Sequence, residues 1–230
     1  MTLKEVMGGT VSELHRAHYD GVYHAERHAH LINEDEYFLA RAEVSPTFYF
    51  SRQERSAHIF DYGMGIGQEI AKLPNAAGWD FSPQARQVSR SRGLSVFDSL
   101  DVVPRQDWDF VLCRHVLEHI EEPLSALGIM RELLKVDGKL VLVLPMEHHQ
   151  SVELAPDLNQ HLYCWNFRTI NNLLYRAGLR PISNTYRYIL GYRVLLPLRR
   201  WLGTWAYRAG VRLTGRVTRN GELVIRAVRA

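Results

Sequence analysis

Seven residues, Asp61-Tyr62-Gly63-Met64-Gly65-Ile66-Gly67, combine a carboxylate with glycines at every second position. Glycine at such a turn tolerates a positive φ and lets the backbone approach a ligand with no Cβ between them. A phosphate-binding P-loop is excluded, because no Lys-Ser/Thr pair follows. The dinucleotide fingerprint G-x-G-x-x-G also fails, because counting from Gly63 its sixth position is Gln68. What stands is D-x-G-x-G-x-G, a nucleotide-type cradle of another kind. Two imidazoles further on, His115 and His161, titrate in the range a general base requires. His115-Val116-Leu117-Glu118-His119 also spells H-x-x-E-H, the inverted zinc-hydrolase pattern. That motif needs a long helix and a distant third ligand, whereas here it follows Asp109-Phe110 in a strand-to-helix turn. His148-His149 offer further ligands to a divalent metal there.

The elements that must position these groups alternate strand and helix from Ser56 onward, which predicts a mostly parallel sheet. Strand one is His58–Asp61, and the helix after the glycines begins at about Gln68 and breaks at Pro74-Asn75. Strand two is Ala76–Asp80. Ser82-Pro83 provides an N-cap with proline in the first turn of a helix that reaches Arg92. Strands three and four are Leu94–Phe97 and Trp108–Leu112. A helix over Leu124–Leu134 closes at an Asp137-Gly138 turn into strand five, Lys139–Leu144. Gly178 stops a helix over Thr169–Ala177. Pro181–Tyr188 is strand six, and the alternation in Glu222–Val228 marks the last strand. Residues 1–55 read as helical. His15, His18, His24, His28 and His30 fall there, with His24 and His28 on one face, and the segment has no cysteine to complete a metal site. His115 and His161 follow strands four and five, and ligands in such sheets bind at the carboxyl ends of the strands.

The glycine stretch resembles the first motif of class I S-adenosylmethionine (SAM)-dependent methyltransferases. Trp108–Pro123, WDFVLCRHVLEHIEEP, is similar to the fourth motif of the subgroup that includes ubiquinone-biosynthesis O-methyltransferases. Arg131–Pro145, RELLKVDGKLVLVLP, is similar to that family's helix, turn and strand five, with Val136-Asp137 where Pro-Gly is usual. His161-Leu162-Tyr163 with Phe167–Leu179 resembles the segment that follows. The likeness covers residues 57 to 180 in order. It implies a Rossmann-like, seven-stranded, mostly parallel sheet with an antiparallel final strand, helices on both faces and an N-terminal helical lid, residues 1–55, on a SAM-binding domain, residues 56–230. Tyr19 or Tyr23 would close over the cofactor.

The resemblance also assigns residues. Asp61, Tyr62, Gly63, Met64, Gly65 and Gly67 would pass under the methionine and ribose of the cofactor. Asp80 would accept from the ribose hydroxyls in charge-assisted hydrogen bonds, with Phe81 on the adenine. Asp98, Ser99 and Leu100 would lie near the adenine amine, and Cys113 and Arg114 would complete the cofactor contacts. The reaction implied is methyl transfer to a small-molecule or glycan acceptor at oxygen, with His115 or His161 as base. Two alternatives stand: a non-catalytic SAM-binding domain, and a metal-assisted enzyme built on His115, Glu118 and His119, since some ubiquinone-type enzymes hold a divalent metal on a related E-x-x-E-H.

Of the 230 residues, 46% are hydrophobic and 23% charged, the composition of a chain with a true core. No apolar run approaches the length of a membrane span. The start lacks a signal-peptide core, so a cytoplasmic protein is expected. Cys113 and Cys164 form no spacing motif. The net charge of +3 hides an asymmetry. From Arg180 to Ala230 eleven arginines face one carboxylate, Glu222, a net of +10, while the other 179 residues hold 17 basic and 24 acidic groups, a net of −7. Residues 191–218 read as a basic helical insertion carrying Trp201 and Trp205. Arg193, Arg199, Arg200, Arg208 and Arg212 would roof the acceptor pocket, and Arg193, Arg199 and Arg200 would receive an anionic acceptor. Peripheral docking on an anionic membrane is the rival reading of that composition, and nucleic acid is not expected.

Overall fold

The computed structural model describes residue 26, residues 28–147 and residues 159–230. The sequence-predicted roles of His15, His18, Tyr19, Tyr23, His24, His148 and His149 fall outside the described residues.

Among the described residues, helices α1 (Ala29–Asn33), α2 (Asp35–Val44) and α3 (Pro46–Tyr49) precede the sheet. Strands β1 (Ile59–Tyr62), β2 (Ala76–Trp79), β3 (Ser95–Val96), β4 (Trp108–Arg114), β5 (Leu134–Pro145), β6 (Leu179–Tyr188) and β7 (Gly221–Arg229) form one sheet in the order β3-β2-β1-β4-β5-β7-β6. The first five pair in parallel, and β7 runs antiparallel to both β5 and β6. Strand order reverses between β1 and β4, the switch point at which a doubly wound sheet leaves a crevice. The helices α4 (Pro83–Ser91), α5 (Pro123–Leu133), α6 (Phe167–Arg176) and α7 (Leu196–Thr218) complete the layers. Sequence capping is realised locally. The Ser82 Oγ accepts from Ala85 N at 3.3 Å, and Asn166 with Thr169 forms a reciprocal cap on α6.

Side chains alternate across the strands, so the sheet carries a core on each face. Phe60, Val111, Leu140, Leu142 and Ile225 pack with Leu127 and Met130 of α5 and Ile170 and Leu174 of α6. Ile59, Leu112, Val141, Val143 and Val224 pack with Phe38 of α2, Phe48 of α3, and Tyr207 and Val211 of α7. The N-terminal helices are therefore part of the second core. Arg92, past the end of α4, anchors them by donating to Leu31 O at 2.7 Å and stacking 3.7 Å from the Phe38 ring centre.

The expected helix after the glycines is absent. Only thirteen residues separate Tyr62 from Ala76; the glycine loop consumes the first of them, and Pro74 supplies no N–H. What forms is a single turn, with Ala71 N on Gly67 O at 3.0 Å and Leu73 N on Ile70 O at 2.8 Å. No long helix dipole points at the loop, so its electrostatics come from side chains. Likewise the Asp137-Gly138 turn is a bulge inside β5. Lys135–Gly138 swing out where β4 offers only Asp109, whose carboxylate accepts from Lys135 Nζ at 2.9 Å.

Gly67 lies at φ +80°, and a Cβ there would stand 2.0 Å from Leu94 Cδ1. Gly67→Ala should therefore lower the melting temperature by about 3–10 °C, through backbone strain and overlap together. An unchanged melting curve would contradict this packing.

Candidate active site

A cavity of about 810 Å³ opens at the switch point, over the carboxyl ends of β1, β2 and β4. Of the residues singled out in the sequence, Asp61, Tyr62, Gly63, Met64, Gly65, Asp80, Phe81, Arg114, His115, His161 and Arg193 line it. Gly67, Asp98, Ser99, Leu100, Cys113, Arg199 and Arg200 do not, and each has another occupation. Gly67 packs against Leu94, as above. Asp98 pairs with Arg90 on the surface. Ser99 caps the short helical turn Leu100–Val102, whose Leu100 is core. Cys113 points into the α5 side of the sheet, fully buried. Arg199 and Arg200 turn away to Glu43 and Glu36 of α2, Arg199 through two hydrogen bonds of 2.9 and 3.1 Å. Arg193 lines the cavity but is itself held by Glu34 at 2.9 Å.

The cavity has an acidic floor. Asp80 is placed by backbone amides: Gly65 N donates to Oδ2 at 2.7 Å and Ser82 N to Oδ1 at 2.9 Å. Asp61, at 1% exposure, leaves Oδ2 buried and unpartnered, as are Gln68 Oε1 and Glu69 Oε2 beside it. Burial pushes the Asp61 carboxyl well above its usual range, and the neighbouring Glu69 and Asp80 charges push it further. Such a set of acceptors is costly unless a cation or a group of donors completes it.

Opposite the floor, Arg114 is the centre of a buried network. It donates to Glu222 Oε1 and from Nε to Tyr49 Oη at 2.9 Å, and its Nη1 lies 3.3 Å from Glu69 Oε1. The Tyr49 hydroxyl in turn donates to Glu222 Oε2 at 2.6 Å. Burial alone would raise the Glu222 carboxyl, but Arg114, then His115 and Tyr49, hold it well below the usual carboxylate range. His115 Nε2 stands 3.0 Å from Glu222 Oε1, off the line of a good hydrogen bond. Burial, then the Arg114 charge, lower the His115 pKa, so its imidazole is neutral at pH 7. The residue sits at φ +54°, a strained backbone held by His115 N on Val143 O at 2.9 Å.

At a third wall, the His161 Nδ1 pairs with Glu147 Oε1, and the His161 ring meets that of His119 edge to face at 4.6 Å. Glu118, His119 and His161 bring ligand atoms within 4.8 Å of one another. Burial raises the Glu118 carboxyl to about 8. A cation would thus take His161, not His115, as third ligand, because His115 faces Glu222.

The sequence matches the methyltransferase domain family over residues 25–184, more than half of the chain. The chain belongs to that family. This SAM-dependent methyltransferase has no match among curated proteins. Several solved structures share its fold. A putative methyltransferase of Haloferax volcanii, solved in complex with the Trm112 activator, is 18% identical at a TM-score of 0.62, with 93% of this chain and 96% of that one covered. Phosphoethanolamine N-methyltransferase 2 of Haemonchus contortus, solved with phosphomonomethylethanolamine and S-adenosylhomocysteine, is 14% identical at 0.61 over 94% of this chain, which spans 60% of that longer protein. The 1,6-didemethyltoxoflavin-N1-methyltransferase of Burkholderia thailandensis is 17% identical at 0.57, covering 94% and 87%. At these identities the likeness is one of fold.

The methyltransferase cavity fits its cofactor on the chemistry of its donor set. The orphaned oxygens of Asp61, Gln68 and Glu69 suit the ammonium end of SAM. The Asp80 carboxylate, held by its amides, lines the same cavity, and a carboxylate there is the acceptor type that ribose hydroxyls require. Glu69, Glu222, Tyr49, Arg41 and Glu147 were not singled out in the sequence. Only Glu222 carried a signal, as the sole carboxylate between Arg180 and Ala230.

Glu222→Gln leaves Arg114 short of its main counter-charge and should cost about 3–5 kcal/mol at pH 7 in chemical denaturation. Because Glu222 is depressed from an ordinary value of 4.5, its contribution is present above that pH and is lost as the pH falls below it. The variant should therefore lose less stability on acidification than the wild type. Parallel acid profiles would contradict the network.

Proposed function

We propose that this methyltransferase methylates a small molecule or a glycan at a hydroxyl oxygen, in the cytoplasm, with His161 as the general base. The reading rests on the Glu147–His161 pair at the cavity wall. The carboxylate at Nδ1 fixes the ring and leaves Nε2 as the nitrogen to take the acceptor's proton. SAM supplies a sulfonium methyl that is already activated, so the protein's share is alignment, exclusion of water and proton removal. Asp61 and Asp80 would hold the cofactor. His28, Leu31, Tyr37 and Arg41 cover the cavity from the N-terminal side and would act as the lid. An anionic acceptor would have to displace Glu34 from Arg193, and Arg199 and Arg200 are matched by Glu43 and Glu36. A neutral hydroxyl compound is therefore the favoured class.

The second reading uses the Glu118, His119 and His161 cluster as a divalent metal site that would bind the acceptor oxygen. The test is a methyl-transfer assay from labelled SAM across a panel of hydroxyl acceptors, with and without chelator. For an acceptor that is turned over, His161→Ala should lower kcat by about 10²–10³-fold while cofactor affinity is kept, and Glu147→Gln should lower it less. Chelator-sensitive turnover would favour the metal reading. An unchanged kcat in His161→Ala would remove both.

A further inference from the structure

Nine of the eleven arginines from Arg180 to Ala230 fall into two groups. Arg193, Arg199, Arg200 and Arg226 are paired with Glu34, Glu43, Glu36 and Glu54, all from the N-terminal part of the chain. Arg187, Arg208, Arg212, Arg216 and Arg219 have no carboxylate partner among the described residues. Arg187 of β6 and Arg208 of α7 are both held below the usual arginine range, by burial first and then by the charge of Arg212. The Nε groups of Arg55, Arg187 and Arg208 are buried with no acceptor. Like charges converging with unused donors are a surface short of anions.

The same helix carries an apolar face that no described residue covers. Trp201 and Trp205 are 84% and 80% exposed, and Leu202, Leu213 and Val217 are exposed beside them. The opposite face, Tyr207, Val211 and Gly215, is buried against the sheet. Trp205, Arg212 and Arg216 recur at helical spacing on the outer side, with Arg208 and Arg219 on one flank and Leu213 and Val217 on the other. The helix bends at Gly203, φ 82°, which presents both tryptophans from separate segments. Among the described residues no helix is long and apolar enough to cross a membrane, so the face suits a surface and not a span. Trp beside Arg along an amphipathic helix is the chemistry of the bilayer interface, where the indole sits at headgroup depth and guanidinium pairs with phosphate.

We infer that the outer face of α7 docks the protein on an anionic phospholipid bilayer, with Trp201, Leu202 and Trp205 entering the interface and Arg187, Arg208, Arg212 and Arg216 taking lipid phosphates. Exposed Val194, which lines the cavity just before α7, places the cavity mouth beside this surface. The docking does not depend on which acceptor is methylated.

The test is flotation of the full chain with vesicles of phosphatidylcholine alone and of phosphatidylcholine with phosphatidylglycerol. Binding should require the anionic lipid, weaken steeply with salt, and shift tryptophan emission to the blue. Arg212→Gln/Arg216→Gln and Trp201→Ser/Trp205→Ser should each weaken binding by about tenfold or more, since each interfacial arginine contributes about 1 kcal/mol, with melting temperatures unchanged. Failure to bind either vesicle, equal binding to both, or undiminished binding by both variants would overturn the inference. So would retention on single-stranded RNA with no vesicle binding, which would assign the surface to nucleic acid.

Discussion

The buried ion pair between Arg114 and Glu222 is the constraint around which the site is arranged. Arg114 ends β4 and Glu222 begins β7, so the pair joins the carboxyl end of a parallel strand to the start of the antiparallel one that follows α7. Two charges this far from water need every donor and acceptor matched. Tyr49 from α3 and Glu69 from the glycine turn supply the remaining partners. The network thus fixes the relation of the N-terminal helices, the glycine loop and the sheet to one another. His115 stands beside it, with Nε2 3.0 Å from Glu222 Oε1.

Much of this was legible in the sequence, for identifiable reasons. The strands carry strong alternation or continuous apolar runs, and Asp61, Gly63, Gly65 and Asp80 keep a spacing that depends only on local geometry. The start of α4 and the run of β7 follow from Ser82-Pro83 and the ELVIRAV alternation, whereas α6 starts at Phe167, two residues before the expected Thr169, because Asn166 caps it. The helix after the loop was misread because Gln68–Leu73 has helical composition, and what prevents it is the short reach to β2 and Pro74. Glu69, Tyr49 and Glu147 were invisible because their roles come from partners up to 173 residues away. Asp98, Ser99, Leu100 and Cys113 were assigned through the resemblance; in the fold Asp98 pairs with Arg90, Ser99 caps a turn, and Leu100 and Cys113 are buried.

The charge asymmetry shows how structure changes a sequence argument. An Arg-rich tail on an acidic body reads as a demand for an external anion. In the fold, four of those arginines are met by Glu34, Glu36, Glu43 and Glu54, which fasten α7 and β7 to the N-terminal part of the chain. Such pairs at a part-exposed surface each contribute little to stability, but their number and bidentate geometry set where α7 lies. Of the arginines left over, Arg208, Arg212 and Arg216 lie on α7 away from the lining of the cavity.

The central claim is that the cavity over β1, β2 and β4 binds SAM through its acidic floor. Calorimetric titration with S-adenosylhomocysteine, on the wild type and on Asp61→Asn, tests it most directly. Asn keeps the shape of Asp61 and breaks no hydrogen bond at Oδ2. The account predicts binding to the wild type that is at least about tenfold weaker in the variant, the loss of a charge-assisted hydrogen bond worth roughly 1.5–3 kcal/mol. It also predicts affinity that rises with pH through the range in which the free Asp61 carboxyl ionises, because a cation there stabilises the ionised form of a carboxyl whose pKa is raised. Equal affinity in the two proteins, or no binding to a well-folded wild type, would contradict it.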